Sequence, residues 1–228
     1  MNMSAINEES VLLRFSDEIN EEVHHLVKYY NDQLSKIEDI LSIVPSYNSL
    51  MVYFDIRKTD FYKLKVSIES IKEPSTIENI EKVIIRIPVC YDMGLDLKRV
   101  SEHTKLSETE VIKKHTAVDY LVYMIGFTPG FPYLGGMDNT LETPRLEVPR
   151  IKIESGSVGI GGQQTGIYPL KTPGGWNIIG KTPVALFDSD TSETLLKMGQ
   201  YIRFYEITVE EYDIIKRDAA YKVEVISC

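Results

Sequence analysis

The residues best suited to chemistry lie in or beside one stretch of the chain, Gly126–Gly180. Arg145 and Arg150 could bind a carboxylate or a phosphate through bidentate guanidinium forks, and Lys181 could add a point charge. Polar and aromatic side chains of the same stretch could complete a pocket. They are Gln163, Gln164, Thr165, Phe131, Tyr133, Tyr168 and Trp176.

The backbone of this stretch is also unusual. It contains twelve of the fourteen glycines and six of the ten prolines. Glycine and proline together indicate tight turns on a folded scaffold, where binding residues concentrate. The N–H groups of residues 159–166, including Gly161 and Gly162, could form an anion nest. Alternatively, the glycines only make turns and the aromatic residues only fill a core. For Arg150, Gln163 and Gln164 both interpretations stay open.

Several familiar site patterns are absent from the sequence. There is no P-loop, no dinucleotide fingerprint and no G-x-S-x-G nucleophile elbow. The four histidines lie outside the glycine-rich stretch, so no metal site and no His-based triad is expected. Of these, His115 is a candidate for an interface. No complete autonomous active site is visible in the sequence.

Composition limits the class of protein. The formal net charge is −9, which argues against nucleic acid and anionic membrane surfaces as partners. Cys90 and Cys228 lie far apart in the sequence and share no metal-ligand spacing. A disulfide framework is therefore not expected, which suits a reducing cytoplasm. The N-terminus shows no signal peptide. The uncharged run at residues 120–137 is interrupted by glycine and proline, so a membrane span is not expected.

Residues 1–85 are predicted to form an N-terminal domain with the order β-α-β-β-α-β, the ferredoxin-like or split βαβ arrangement. Hydrophobic periodicity indicates one helix from Asp17 to about Lys36, capped by Ser16 or Asp17, and a second at about 60–71. A hairpin turn is expected at 45–49. The predicted strands are residues 10–15, 40–44, 50–54 and 82–89.

Residues 86–228 are predicted to hold a helical connector at about 96–117, followed by a β-rich domain. Two short helices, Leu97–His103 and Glu108–His115, flank a turn, and Ser107 with Glu110 matches a capping box. The negative net charge of the chain favours a structural linker over a DNA-binding helix-turn-helix motif. Frequent turns then indicate a closed or nearly closed barrel. Its predicted strands are residues 120–127, 157–161, 166–170, 176–181, 185–187, 201–207 and 221–226, with a short helix at 210–217.

Four dense motifs resemble a known family. They are GF-x-PGF-x-YL-GG-x-D (126–138), PR-x4-PR (144–150), GSVGI-x-G-x-QTGIYP (156–169) and PGGW-x-x-IG-K-TP (173–183). In this order they resemble the allophanate hydrolase subunit 1 family, also described as carboxyltransferase subdomain C. Its members include the B subunit of ATP-dependent 5-oxoprolinase and the Kip inhibitor of a sporulation kinase. The resemblance covers nearly the whole chain.

The resemblance implies an α+β protein with a cyclophilin-like β-barrel at its C-terminus. It also implies partners: the C subunit of 5-oxoprolinase, of the allophanate hydrolase subunit 2 type, and its lactam-processing A subunit. ATP would be used by the complex. The sequence departs from the family where Asn139 follows Asp138, where Lys181 replaces a usual arginine, and where Glu154 replaces a usual proline. These departures bear on anion recognition.

Three functions fit these observations. The favoured one is the B subunit of ATP-dependent 5-oxoprolinase, the enzyme that converts 5-oxo-L-proline to L-glutamate. The second is an inhibitor that docks on a sensor histidine kinase. The third is half of a biotin-dependent carboxyltransferase, as in urea carboxylase. On the first hypothesis, the candidate substrate or nucleotide contacts are Arg145, Arg150, Gly161, Gly162, Gln163, Gln164, Thr165, Tyr168, Trp176 and Lys181, with Phe131 and Tyr133 as pocket or interface aromatics.

Overall fold

The structure is a computed structural model that describes residues 1–72 and 82–227. Contacts between residues divide the chain into two compact units, residues 1–80 and 81–228, and the division falls within the stretch that is not described, residues 73–81. Cys228 also lies outside the described residues. Each unit is mixed α and β.

The first unit is a four-stranded sheet with two helices. The sheet order is β1-β2-β4-β3, and every neighbouring pair is antiparallel. β2 and β3 therefore run parallel with β4 between them, which is a split βαβ unit around α1. The elements are β1 (Asn2–Asn7), β2 (Ser10–Arg14), α1 (Glu21–Leu34), β3 (Ile40–Pro45), β4 (Ser49–Phe54) and α2 (Phe61–Glu69).

The core of this unit follows from alternation along β4. Leu50, Val52 and Phe54 are buried while the residues between them are half-buried, as a strand with one face on a core requires. α1 packs against β3 and β4. The helix begins at Glu21 because Asn20 accepts a hydrogen bond from the Val23 N–H. The predicted cap at Ser16 or Asp17 is therefore wrong.

The predicted closing strand of this unit belongs elsewhere. Residues 83–89 form β5 (Val83–Val89), which pairs with two strands of the second unit. The fourth position in the first sheet is taken by β1, which the sequence analysis did not predict. β1 is almost wholly exposed and has no apolar alternation, so its sequence carries no strand signal.

The second unit is built on an eight-stranded mixed sheet in the order β12-β9-β10-β7-β6-β13-β5-β14. A two-stranded ribbon, β8 with β11, accompanies it. The strands after β5 are β6 (Asp119–Ile125), β7 (Pro132–Gly135), β8 (Arg150–Ile153), β9 (Ser157–Gly161), β10 (Gln164–Ile167), β11 (Thr172–Gly174), β12 (Asn177–Lys181), β13 (Tyr201–Glu206) and β14 (Val225–Ser227).

Strand pairing in this sheet does not close a barrel. β12 and β14 are its two ends, although an isolated antiparallel bridge joins Cys90, just after β5, to Lys181 in β12. Of the two predicted alternatives, the fully closed barrel is therefore wrong, since among the described residues only this bridge joins β12 to the far side of the sheet. Residues 185–187 are not a strand either, since only Phe187 forms a bridge there, with Thr194.

The described residues of this unit also form three α-helices, namely α3 (Leu97–Thr104), α4 (Glu108–Thr116) and α5 (Val209–Arg217). The capping box of Ser107 and Glu110 starts α4 and is confirmed. Val100 and Val111 are fully buried in the main hydrophobic core, and α3 and α4 pack on β12 and β13 respectively. α3 and α4 are therefore part of this unit's core. Across residues 1–72 and 82–227, no helix is long and apolar enough to cross a membrane.

Candidate functional site

The centre of the candidate site is an indole ring that lies against a glycine. β9 and β10 form a hairpin whose two-residue turn begins at Gly162, with a φ of +65° that suits glycine in this place. Trp176, just before β12, packs on Gly161. A Cβ atom at Gly161 would lie 2.5 Å from two atoms of the indole ring. Glycine is needed there because any side chain would displace the tryptophan.

Aromatic rings surround this tryptophan. Phe131, Tyr168 and Trp176 are each at most 5% exposed. The Phe131 ring meets Tyr133, Tyr168 and Trp176 edge-on, with ring centroids 5.3–5.5 Å apart. Such pairs contribute about 0.5–1.5 kcal/mol each beyond burial. The rings therefore form a rigid wall, and Phe131, Tyr168 and Trp176 also fill a buried hydrophobic cluster.

A cavity of about 350 Å³ opens beside these rings. The rings of Phe127, Phe131, Tyr133, Tyr168 and Trp176 line it, together with Arg145, Pro149 and the segment 173–175. Among the described lining residues, Arg145 is the one cation, and none is a carboxylate, a histidine or a cysteine. The cavity is therefore an aromatic pocket with a single positive charge.

Arg145 is exposed at this pocket, and its guanidinium carbon lies 5.9 Å from the centre of the Trp176 ring. At that distance the cation–π attraction is near its limit. Among the residues described, no hydrogen-bond or ion-pair partner of Arg145 is found. Burial raises the pKa values of Tyr133 and Tyr168, and the charge of Arg145 opposes both shifts. The guanidinium of Arg145 therefore lies at the pocket without a hydrogen-bond or ion-pair partner among the described residues.

Phe127 was missed by the sequence analysis. Its ring is 66% exposed, lines the cavity and meets Phe131 edge-on at 5.7 Å. Its φ is +66°, a left-handed conformation that is strained for a bulky residue. The turn-rich string from Gly126 to Gly130 was the available signal, because strained conformations concentrate in such loops at functional sites.

Arg150 is engaged inside the protein. Its Nη1 and Nη2 atoms donate to the two carboxylate oxygens of Asp96 at 2.8 and 2.7 Å. Asp96 is buried, and its Oδ2 atom also accepts the Ile178 N–H at 2.7 Å. The sequence left open whether these guanidinium donors bind a ligand or have a structural role. The structure gives them to a carboxylate that would otherwise be buried without a counter-charge.

The three polar residues that the sequence analysis proposed in this hairpin, Gln163, Gln164 and Thr165, lie in different environments. Gln163 is exposed and donates to Glu142 at 3.0 Å, whereas Gln164 is half-buried in β10. Thr165 is fully buried in the interior. The N–H of Gly162 donates to the Thr143 carbonyl at 2.8 Å. Both strands of the hairpin are paired on each side, so their N–H groups are directed into the sheet and the expected anion nest is not formed.

Lys181 lies at a separate depression of about 220 Å³, which Arg150 and Ser157 also line. Lys152 there forms an ion pair with Glu154. The charge of Lys181 helps to lower the pKa of the Glu154 carboxyl, although the hydrogen bond from Lys152 is the larger cause. The three predicted cations are therefore not brought together at one anion site.

His115 is not at an interface but fully buried in the second unit. Its Nδ1 atom lies 2.7 Å from the Tyr91 hydroxyl, and its Nε2 atom lies 2.8 Å from Thr165 Oγ1. Because Thr165 donates to the Gly159 carbonyl, we assign the proton to Nε2 and the acceptor role to Nδ1. Burial lowers the pKa of His115 to about 3.

The Arg150–Asp96 pair makes a prediction about stability. Replacing Arg150 by Ala leaves the Asp96 carboxylate buried beside one N–H donor, so unfolding free energy should fall by about 3 kcal/mol. The measurement is urea unfolding. Arg145→Ala is the matched control, since that side chain is exposed and unpaired, and it should shift stability by less than about 0.5 kcal/mol. Equal midpoints for the two variants would contradict a structural role for Arg150.

The burial of His115 predicts how the free energy of unfolding depends on pH. Unfolded histidine binds a proton near pH 6.5, but the folded chain accepts it only near pH 3. The stability from this neutral histidine is complete above pH 6.5 and is lost as the pH falls toward 3, by up to about 1.4 kcal/mol per pH unit. His115→Gln should therefore flatten the dependence of unfolding free energy on pH between 6.5 and 4.5.

The control for this measurement is His103→Gln, a change at an exposed position of α3. It should keep the wild-type dependence. His24, buried in the first unit with a pKa lowered to about 4, acts in the same direction, so some slope should persist in His115→Gln. A slope in His115→Gln equal to that of wild type would rule out the assigned contribution.

Comparison with known proteins gives two bacterial relatives that match almost end to end. The chain is 38% identical over 232 residues to the B subunit of 5-oxoprolinase from Bacillus subtilis (strain 168), covering 94% of this chain and 96% of that protein. It is 38% identical over 207 residues to the B subunit of 5-oxoprolinase from Haemophilus influenzae, covering 90% and 97%. Similarity to urea amidolyase of Saccharomyces cerevisiae is more distant, at 23% identity over 84% of this chain and 12% of that protein.

A solved structure and a family assignment agree with these relatives. The crystal structure of TTHA0988 superposes with a TM-score of 0.79 at 33% identity, covering 88% of this chain but 40% of that longer one. Residues 1–197 match the family described as carboxyltransferase domain, subdomain C and D. With a family match over most of its length and relatives at this level of identity, the chain belongs to the carboxyltransferase domain subdomain C and D family.

Proposed function

We propose that this chain is the B subunit of an ATP-dependent 5-oxoprolinase. The observation that carries the proposal is the relationship to the Bacillus subtilis protein, which extends over nearly the full length of both chains. The relationship to urea amidolyase is more distant and covers a small part of that protein. It therefore supports the carboxyltransferase alternative less strongly than the Bacillus subtilis protein supports this proposal.

The proposed reaction converts 5-oxo-L-proline, ATP and two water molecules to L-glutamate, ADP and phosphate. The unstrained lactam resists hydrolysis, so phosphoryl transfer from ATP to the amide oxygen would activate the ring carbon. One water would then add to that carbon and the C–N bond would break, with a proton going to the nitrogen, which leaves an acyl phosphate. The second water would displace phosphate from this acyl group and give L-glutamate. Such a route needs groups that bind the substrate, an ATP site and a base.

The aromatic pocket fits one part of this list. Arg145 offers an unpaired cation, but no described lining residue could act as a carboxylate, imidazole or thiolate base. We infer that the remaining groups come from the partner chains, namely the C subunit, of the allophanate hydrolase subunit 2 type, and the lactam-processing A subunit. ATP would be bound by the assembled complex, in the cytoplasm where ATP is supplied.

Exposed apolar side chains support a partner at this face. Phe127, which lines the pocket, is 66% exposed. Val148, next in sequence to the lining residue Pro149, and Ile151, two residues after it, are 81% and 91% exposed. Apolar surface of this kind commonly marks a site of protein association.

We also propose that the two units are variants of ferredoxin-like and cyclophilin-like folds. In the first unit, the split βαβ core supports this, with β1 in the position of the missing closing strand. In the second, the single bridge between Cys90 and Lys181 stands where a barrel would close.

Reconstitution tests the function. The chain is co-expressed with its cognate C and A subunits, and the release of ADP and glutamate is measured with and without 5-oxo-L-proline. We expect turnover that depends on 5-oxo-L-proline and that disappears when any one chain is omitted, because the pocket alone lacks a base. The control is ATP without 5-oxo-L-proline, which separates coupled hydrolysis from background ATPase activity.

Two outcomes would overturn the proposal. A stable three-chain complex without turnover would point to a different substrate. Failure to form any complex would favour the kinase-inhibitor alternative, which is then tested by autophosphorylation of a sensor histidine kinase from the same organism with and without the chain.

A further inference from the structure

The strongest unexplained feature is an unpaired guanidinium beside an aromatic cavity. Arg145 is the only cation among the described lining residues, and it has no acidic partner among them. The other arginine of the same motif, Arg150, uses both terminal nitrogens on Asp96. A cation held free at a pocket while its neighbour is fully paired is available for an anionic ligand.

We propose that the pocket at Arg145 binds a small flat cyclic carboxylate, with the guanidinium on the carboxylate and the ring between aromatic walls. This inference rests on the function proposed above, which makes the ligand 5-oxo-L-proline. The same proposal places the two substrates at different sites, with the triphosphate of ATP bound outside this pocket.

The size of the cavity favours a small ligand. Its volume is about 350 Å³, near the lower end of the range of about 300–1,000 Å³ that small-molecule sites occupy. A five-membered ring with one carboxylate fits such a volume. A nucleoside triphosphate with its metal ion and water shell needs a longer cleft.

The charge of the cavity favours one carboxylate. A single guanidinium matches a carboxylate through two parallel hydrogen bonds. Sites for transferable phosphoryl groups instead combine several donors, commonly a lysine, a backbone cradle and metal ions. Here Lys181 lies at a different depression, and the N–H groups of the β9–β10 hairpin are directed into the sheet.

The walls favour a flat ring. Trp176, Tyr168 and Phe131 are fixed by edge-on contacts with each other, at centroid distances of 5.3–6.3 Å. Rings held in this way lose little entropy when a planar amide stacks beside them. Glycine at 174 lets the Tyr168 ring keep its position in the wall, because a Cβ there would lie 2.5 Å from the Tyr168 hydroxyl oxygen.

The chain contains its own probe for this pocket, because Trp176 is its only tryptophan. Tryptophan emission of the isolated full chain is measured while 5-oxo-L-proline is added. We expect a saturable change in emission. 2-Pyrrolidinone, which lacks the carboxylate, and L-proline, which lacks the lactam carbonyl, should each bind at least tenfold more weakly. ATP should leave the emission unchanged.

Two variants test the role of Arg145. Arg145→Gln removes the charge and should weaken binding of 5-oxo-L-proline at least tenfold. Arg145→Lys keeps the charge but loses the bidentate guanidinium, so its affinity for 5-oxo-L-proline should lie between those of the wild type and Arg145→Gln. The matched control is Arg217→Gln, an exposed charge change on α5, which should bind as wild type does. In the reconstituted complex, Arg145→Gln should raise the KM for 5-oxo-L-proline and leave the KM for ATP unchanged.

The outcomes separate this inference from the proposed function. A complex that turns over, with no emission change in the chain and an unaltered KM in Arg145→Gln, would overturn the pocket assignment and keep the function. Saturable binding that depends on Arg145, with no turnover in the complex, would keep the pocket and overturn the function. An ATP-induced change in Trp176 emission that Arg145→Gln abolishes would overturn the separation of the two substrates.

Discussion

One buried carboxylate holds the candidate site together. Asp96, directly before α3, accepts both guanidinium donors of Arg150 from β8 and the N–H of Ile178 from β12. Its own N–H donates to the Ile178 carbonyl at 2.7 Å. A buried carboxylate is tolerated only with such compensation. Since β8 pairs with β11, this interaction fixes the ribbon that carries the pocket wall at Gly174 to the edge of the sheet.

This arrangement explains why two similar arginines have different roles. Arg145 and Arg150 both follow a proline in one short motif, and the sequence alone treats them alike. The partner of Arg150 lies 54 residues earlier in the chain. No local pattern reveals a contact at that separation, so the distinction between a paired and an unpaired arginine depends on tertiary structure.

The sequence predicted local structure better than pairing. The bounds of β9 and the capping box of α4 follow from turn residues and side-chain hydrogen bonds close in the chain, and both are confirmed. β5 was found as a strand but assigned to the wrong sheet. Its apolar run, buried at most positions, is typical of an interior strand and does not specify its neighbours. Barrel closure failed for the same reason, since closure depends on register between distant strands.

Because Arg145 is exposed to solvent, the pocket of the isolated chain should bind a carboxylate only weakly. A charge pair near water gains little, because solvent competes for both partners and screens their attraction. The same guanidinium–carboxylate contact strengthens when water is excluded, as an effective dielectric constant falls from about 80 toward about 20. The exposed side chains of Phe127 and Val148 offer a surface that an incoming partner chain could cover. On the proposed function, assembly would thus both supply the missing base and desolvate the substrate's carboxylate at Arg145, which gives a physical reason for dividing the active site among chains.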